Sequence, residues 1–165
     1  MSTTAQSESH SEAHASATDR PQIDSRGPRF AASLTTVVLA VALVTAPSTL
    51  TVVLLAVQLA VFAIGAVAGI QHTPYSWLFK TLVRPRLGKP AEIEDAAPPR
   101  FAQGVGLVFA AVGLVGYLAG VDLLGAIATG FALAAAFLNG AFGFCLGCEV
   151  YLLLRRIAPA RTAGV

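Results

Sequence analysis

Four long apolar stretches, set in pairs, dominate the chain. The first runs from Phe30 to Ala46 and is interrupted only by Ser33, Thr35, Thr36 and Thr45. Pro47 separates it from the second, Ser48 to Ile70, in which Gln58 is the only strongly polar side chain. A third runs from Phe101 to Ala119, and a fourth from Val121 to about Phe144. A hydrocarbon core about 30 Å thick needs about 20 predominantly apolar helical residues. The pattern therefore predicts spans at 29–46, 48–70, 101–119 and 122–143, joined as two tight hairpins. Leu123 to Leu154 as one helix would be about 48 Å long at a rise of about 1.5 Å per residue, which overshoots the bilayer. A break is expected at Gly140, Gly143 or Gly147.

The segments after each hairpin read differently. Residues 74–87 carry Tyr75, Trp77, Lys80, Arg84 and Arg86, and residues 146–157 carry Tyr151, Arg155 and Arg156. Aromatic and basic residues together suit the headgroup region, so both segments are expected as short interfacial helices. Residues 1–22 are polar, rich in Ser, Thr and Ala, and are expected to be a disordered tail. His10 and His14 within it read as solvated residues. Residues 158–165 form a second tail, leaving 23–157 as one membrane domain.

Charge then orients the spans. Charged residues make up only 12% of the chain, about half the share typical of a soluble domain. Nothing in the mild net charge of +2 points to nucleic acid, and none is expected as a partner. All 11 Lys and Arg residues fall before the first span, between the second and third, or after the fourth. Neither hairpin turn has one. Four spans therefore put every basic segment on one side, which the positive-inside rule makes the cytoplasm. The expectation is a multi-pass protein of the inner (cell) membrane with both termini cytoplasmic and the lipid bilayer as its first partner.

The same basic segments contain a repeat. Asp24 to Ala31 and Asp95 to Ala102 both read D-x-x-x-P-R-F-A, 71 residues apart, each just before a hairpin. Both copies start from the same side, so the repeat is parallel, related by a pseudo-twofold along the membrane normal. Pro28 and Pro99 suit the first turn of a helix. Arg29 and Arg100 can snorkel to lipid phosphates, with Phe30 and Phe101 at the interface. A structural role is expected for these residues and for Asp24 and Asp95, which could also clasp the repeats by Asp–Arg pairing. The predicted class is an all-α membrane protein: four transmembrane helices in two hairpins, a parallel pseudo-repeat and short interfacial helices.

Candidate chemistry is sparse. Cys145-Leu146-Gly147-Cys148 holds the only two cysteines, at the end of the fourth span. Cytosolic thiols stay mainly reduced, which argues against a purely structural disulfide. Three readings stand: a redox or sulfur-relay dithiol, half of a metal site completed in a symmetric homodimer, or small packing residues at a bend. A break near Gly143 would put the pair at a helix N-terminus, which lowers thiol pKa, whereas the neighbouring Glu149 would oppose a thiolate. Gln58 and Asn139 are expected to hydrogen-bond between helices. No Walker loop, H-E-x-x-H, G-x-S-x-G or dinucleotide fingerprint occurs, and no cofactor or bound metal is expected.

The motifs V-R-P-R-L (Val83 to Leu87), E-D-x-x-P-P-R-F-A-Q (Glu94 to Gln103) and A-F-L-N-x-x-F-G-x-C-L-G-C-E-x-Y (Ala136 to Tyr151) resemble the DUF4395 family of small bacterial integral membrane proteins, over about residues 24–157. The resemblance implies four spans and a cysteine pair. It also implies an association, frequent in actinobacteria, with rhodanese-type sulfurtransferase and thioredoxin-like proteins. The expected function is a thiol-redox or sulfur-transfer partner acting through Cys145 and Cys148, with Glu149 as a modulator. Such a protein would be at most a dithiol relay rather than a conventional enzyme, with a cytosolic thioredoxin-like or sulfurtransferase protein as its partner. A non-enzymatic scaffold or assembly protein, and a small oligomeric transporter of a sulfur species, are the alternatives.

Overall fold

A computed structural model of the protein describes residues 22–88 and 93–157. The expected tails at 1–22 and 158–165 lie outside the described residues except for Gln22, as do His10 and His14. Four helices are long and apolar enough to cross a membrane: α1 (Arg26–Val44), α2 (Thr49–Val67), α5 (Ala97–Leu118) and α6 (Asp122–Phe142). Between the hairpins the chain passes through a 3-10 turn (Ile70–His72), α3 (Pro74–Leu78), a π-helical turn (Phe79–Val83) and α4 (Arg84–Leu87). Pro85 has no N–H and its ring excludes a carbonyl one turn back, so the wider π turn precedes it. After α6 comes α7 (Leu146–Ile157).

The helices begin ahead of 29 and 101, for a local reason. Asp24 Oδ1 accepts the N–H of Arg26 at 3.1 Å, and Asp95 Oδ1 accepts that of Ala97 at 2.9 Å. Each aspartate satisfies one of the N–H groups a helix start leaves open, so the helix forms before the Pro–Arg pair. Upstream of each aspartate the chain is extended, and β1 (Gln22–Asp24) pairs antiparallel with β2 (Ile93–Asp95).

That pairing carries the symmetry of the molecule. Ile23 faces Glu94, its own equivalent 71 residues on, and the flanking pairs Gln22–Asp95 and Asp24–Ile93 exchange under the same offset. An antiparallel pair of equivalent strands has a twofold axis through its middle. The helices obey the same axis, because α1 packs mainly on α6 and α2 mainly on α5. The protein is an all-α membrane protein with four spanning helices in two hairpins and a parallel pseudo-repeat.

Small residues and a few buried large ones form the centre. Leu39, Ala42, Leu55, Tyr117 and Ala132, drawn from all four spans, make one buried cluster. Glycines bring backbones close: a Cβ on Gly116 would meet the Gly125 nitrogen at 2.7 Å, and one on Gly140 would meet Ser33 Oγ at 2.9 Å. Large side chains such as Val44, Val67, Leu123 and Phe131 point outward, as hydrocarbon permits and water does not. Gln58 and Thr35 show a buried polar pair formed between helices. Gln58, fully buried, donates to Thr35 Oγ1 at 3.3 Å and accepts from the Tyr75 hydroxyl at 2.9 Å.

Candidate functional site

The fourth apolar run breaks at Gly143. This residue has φ of +70°, where a side chain is strained. Its N–H donates to the Asn139 carbonyl at 2.9 Å, the bond of an αL cap, and that of Phe144 donates to Leu138 at 3.2 Å, which closes α6. The chain then restarts as α7, with Cys145 as its N-cap: the Cys145 carbonyl accepts the first helical bond from Glu149 N–H at 3.0 Å. Cys145 Sγ accepts the N–H of Cys148 at 3.3 Å, the bond that Ser or Thr makes at other helix starts.

Cys145 and Cys148 are joined as a disulfide, their Cα atoms 5.2 Å apart. One helical turn brings the two Cα atoms within ordinary bridging distance, so the bond forms without moving the backbone. Both cysteines are half-buried, and Glu149 is exposed in the first turn of α7. Among the described residues, no three of His, Cys, Asp and Glu gather as metal ligands.

Helix α7 is fixed against α5. Gly147 lies so close that a Cβ on it would stand 2.6 Å from that of Ala102. Phe101 packs on Tyr151 with centroids 5.6 Å apart, and Arg155 lies 5.9 Å over the same Tyr151 ring. The first repeat does the corresponding job with Phe30 and Phe79, 5.8 Å apart, and Thr73 as the cap of α3. Burial holds the Tyr75 phenol above its ordinary pKa, so it remains a hydrogen-bond donor to Gln58.

The remaining predicted residues gather at this end of the bundle. Pro28 and Pro99 lie in the first turns of α1 and α5. The Arg100 guanidinium donates to the carbonyls of Ala66 at 2.8 Å and Val67 at 2.6 Å, across the repeat interface. Its equivalent Arg29 lies against Gly143 at the end of α6. Each arginine thus meets the negative end of the second helix of the other hairpin, where a cation is favoured. Asp24 and Asp95 hold their own helix starts, and strand pairing and arginine on helix ends bridge the repeats here.

Behind the disulfide lies a cavity of about 640 Å³, which no motif or spacing in the chain foreshadows. Cys145, Cys148, Glu149 and Arg29 line its outer end, with Asn139 among its walls. Phe62, Phe109 and Phe131 line it at greater depth. Gln103 also borders it, with its Oε1 buried near Gly65 and without a hydrogen-bond partner. A pseudo-twofold bundle whose one cysteine pair caps a helix beside a cleft defines a membrane protein with an asymmetric candidate site. The chain belongs to the DUF4395 family, a domain of unknown function, whose model matches residues 23–156. No curated protein and no solved structure matches it.

Proposed function

We propose that the protein is a dithiol relay of the inner membrane, with Cys145 and Cys148 cycling between dithiol and disulfide at the cytoplasmic face. The carrying observation is the seat of Cys145: N-cap of a 12-residue helix, its sulfur accepting the Cys148 N–H. A helix N-terminus stabilises the thiolate, the reactive form in exchange. Cys145 is accordingly the nucleophile and Cys148 the resolving thiol. The grouping of all 11 basic residues at the ends beyond the hairpin turns supports this orientation, with both termini in the cytoplasm. A disulfide there is transient and catalytic rather than structural. Its soluble counterpart is a cytosolic thioredoxin-like or sulfurtransferase protein that attacks, or is attacked by, Cys145.

Alkylation trapping in native membranes tests this. The pair is expected in both redox states, shifting to disulfide with diamide and back with reductant. Cys148→Ser is expected to accumulate a mixed disulfide through Cys145, which Cys145→Ser abolishes. A pair that stays in one state under both treatments would end the relay reading.

A further inference from the structure

The relay needs something to exchange electrons with on its other side, and the cavity indicates what. It begins at the disulfide and reaches Phe131, 12 residues before Gly143 on α6, and Phe109 on α5. At about 1.5 Å per residue it runs about 18 Å along the spanning helices, well into hydrocarbon depth. The rings of Phe109 and Phe131 pair at 6.1 Å near its inner end. Phe131 is 61% exposed on the outer face of the bundle, so the inner end of the cavity abuts the lipid. Resting on the relay reading, we propose that the cavity binds a lipid-soluble quinone that oxidises the Cys145–Cys148 dithiol.

The chemistry of the walls selects this class. A small sulfur anion would find mostly apolar and aromatic surface along the deep part of the cleft, where a charge is costly. An amphiphile with a flat polar ring and an apolar tail matches both ends. Its ring sits beside the disulfide, where the Arg29 guanidinium and Asn139 amide can donate to ring carbonyls. Its tail follows the cleft past Phe131 into lipid. The reaction balances without another component. The two thiols lose two electrons and two protons as the S–S bond forms. The two quinone carbonyl oxygens take both and become hydroxyls, and the quinol leaves through the lipid-facing opening.

The test uses the full chain in nanodiscs, reduced, desalted and kept anaerobic. Decylubiquinone is the probe, because its fully substituted ring cannot add thiols directly. One quinol is expected per disulfide formed, read by quinone absorbance and by loss of alkylatable cysteine. Ala135→Phe, which fills the cleft from α6, is expected to slow this reaction about tenfold, equivalent to about 1.4 kcal/mol. Oxidation of the same variant by diamide is expected to be unchanged. Duroquinone, fully substituted but tail-free, is expected to react more slowly with the unmodified protein. Equal rates for the two quinones, or an unslowed Ala135→Phe, would place any reaction outside the cleft and overturn the proposal. Disulfide formation with diamide but none with decylubiquinone would overturn the quinone and leave the relay. Failure with both would overturn the two together.

Discussion

Arg100 shows how one side chain holds the two repeats together. It spans consecutive carbonyls, those of Ala66 and Val67, which no helical partner can satisfy at the end of α2. Hydrogen bonds from a charged donor contribute more than neutral ones, but Arg100 is exposed, so solvent reduces the gain. Arg100→Ala is expected to destabilise the protein by about 1–2 kcal/mol, measured by thermal unfolding in detergent. Arg100→Lys should recover only part of that, because an ammonium lacks the planar fork that reaches two oxygens at once. Full recovery by lysine would show that charge alone matters. The sequence located this arginine through the repeat, with a lipid phosphate as its expected contact. The partner turned out to be backbone, because helix ends from the other hairpin lie nearer than any composition rule could indicate.

Helix α7 shows how a short segment is aimed. The left-handed cap at Gly143 sets the direction in which the chain leaves α6, and Gly147 against Ala102 sets how closely α7 lies on α5. Gly147→Ala would place a methyl 2.6 Å from the Ala102 Cβ, a distance that packed atoms cannot keep. Overpacking of this kind costs about 1–3 kcal/mol. The substitution is expected to lift the N-terminus of α7 and to make Cys148 react faster with a bulky maleimide once the pair is reduced. Adding Ala102→Gly should restore little of either stability or the slower reaction, because the Ala102 Cα would stand 2.7 Å from the same methyl and belongs to the backbone. Full recovery by the double variant would show that the Ala102 methyl alone sets the spacing of α7 on α5.

This contact also marks the limit of what the chain announces. Excess length of the fourth run and the glycines at 140, 143 and 147 foretold a break, because helix length against bilayer thickness is a one-dimensional comparison. The cavity was not legible, since it depends on which faces of α1, α5 and α6 fail to close. The strand pair was not legible: Ile23 and Glu94 stand just ahead of the repeat, and short polar β segments leave little trace beside membrane helices.

Taken whole, the molecule is two hairpins joined across a pseudo-twofold, and the first packs more on the second than on itself. Within the first hairpin α1 and α2 touch less than either touches the second, with α1 against α6 and α2 against α5. Leu39, Ala42, Leu55, Tyr117 and Ala132 form one cluster only when both halves are present. Gln58 and Thr35 satisfy each other within the first half, yet Arg100 and β2 reach that half from the second. Dispersion between closely packed small residues, rather than the hydrophobic effect, drives helix association inside lipid. A chain cut between Gly88 and Ile93 should therefore reassemble when its two fragments are produced together. Co-purification through a tag on either fragment, with the Cys145–Cys148 pair still oxidised by diamide, is the expected result. Each fragment alone should be protease-sensitive in its segments outside the membrane, because β1 or β2 and the helix-end arginine contacts have lost their other side. Stable, protease-resistant single fragments would show that the hairpin, and not the pseudo-twofold pair, is the folding unit.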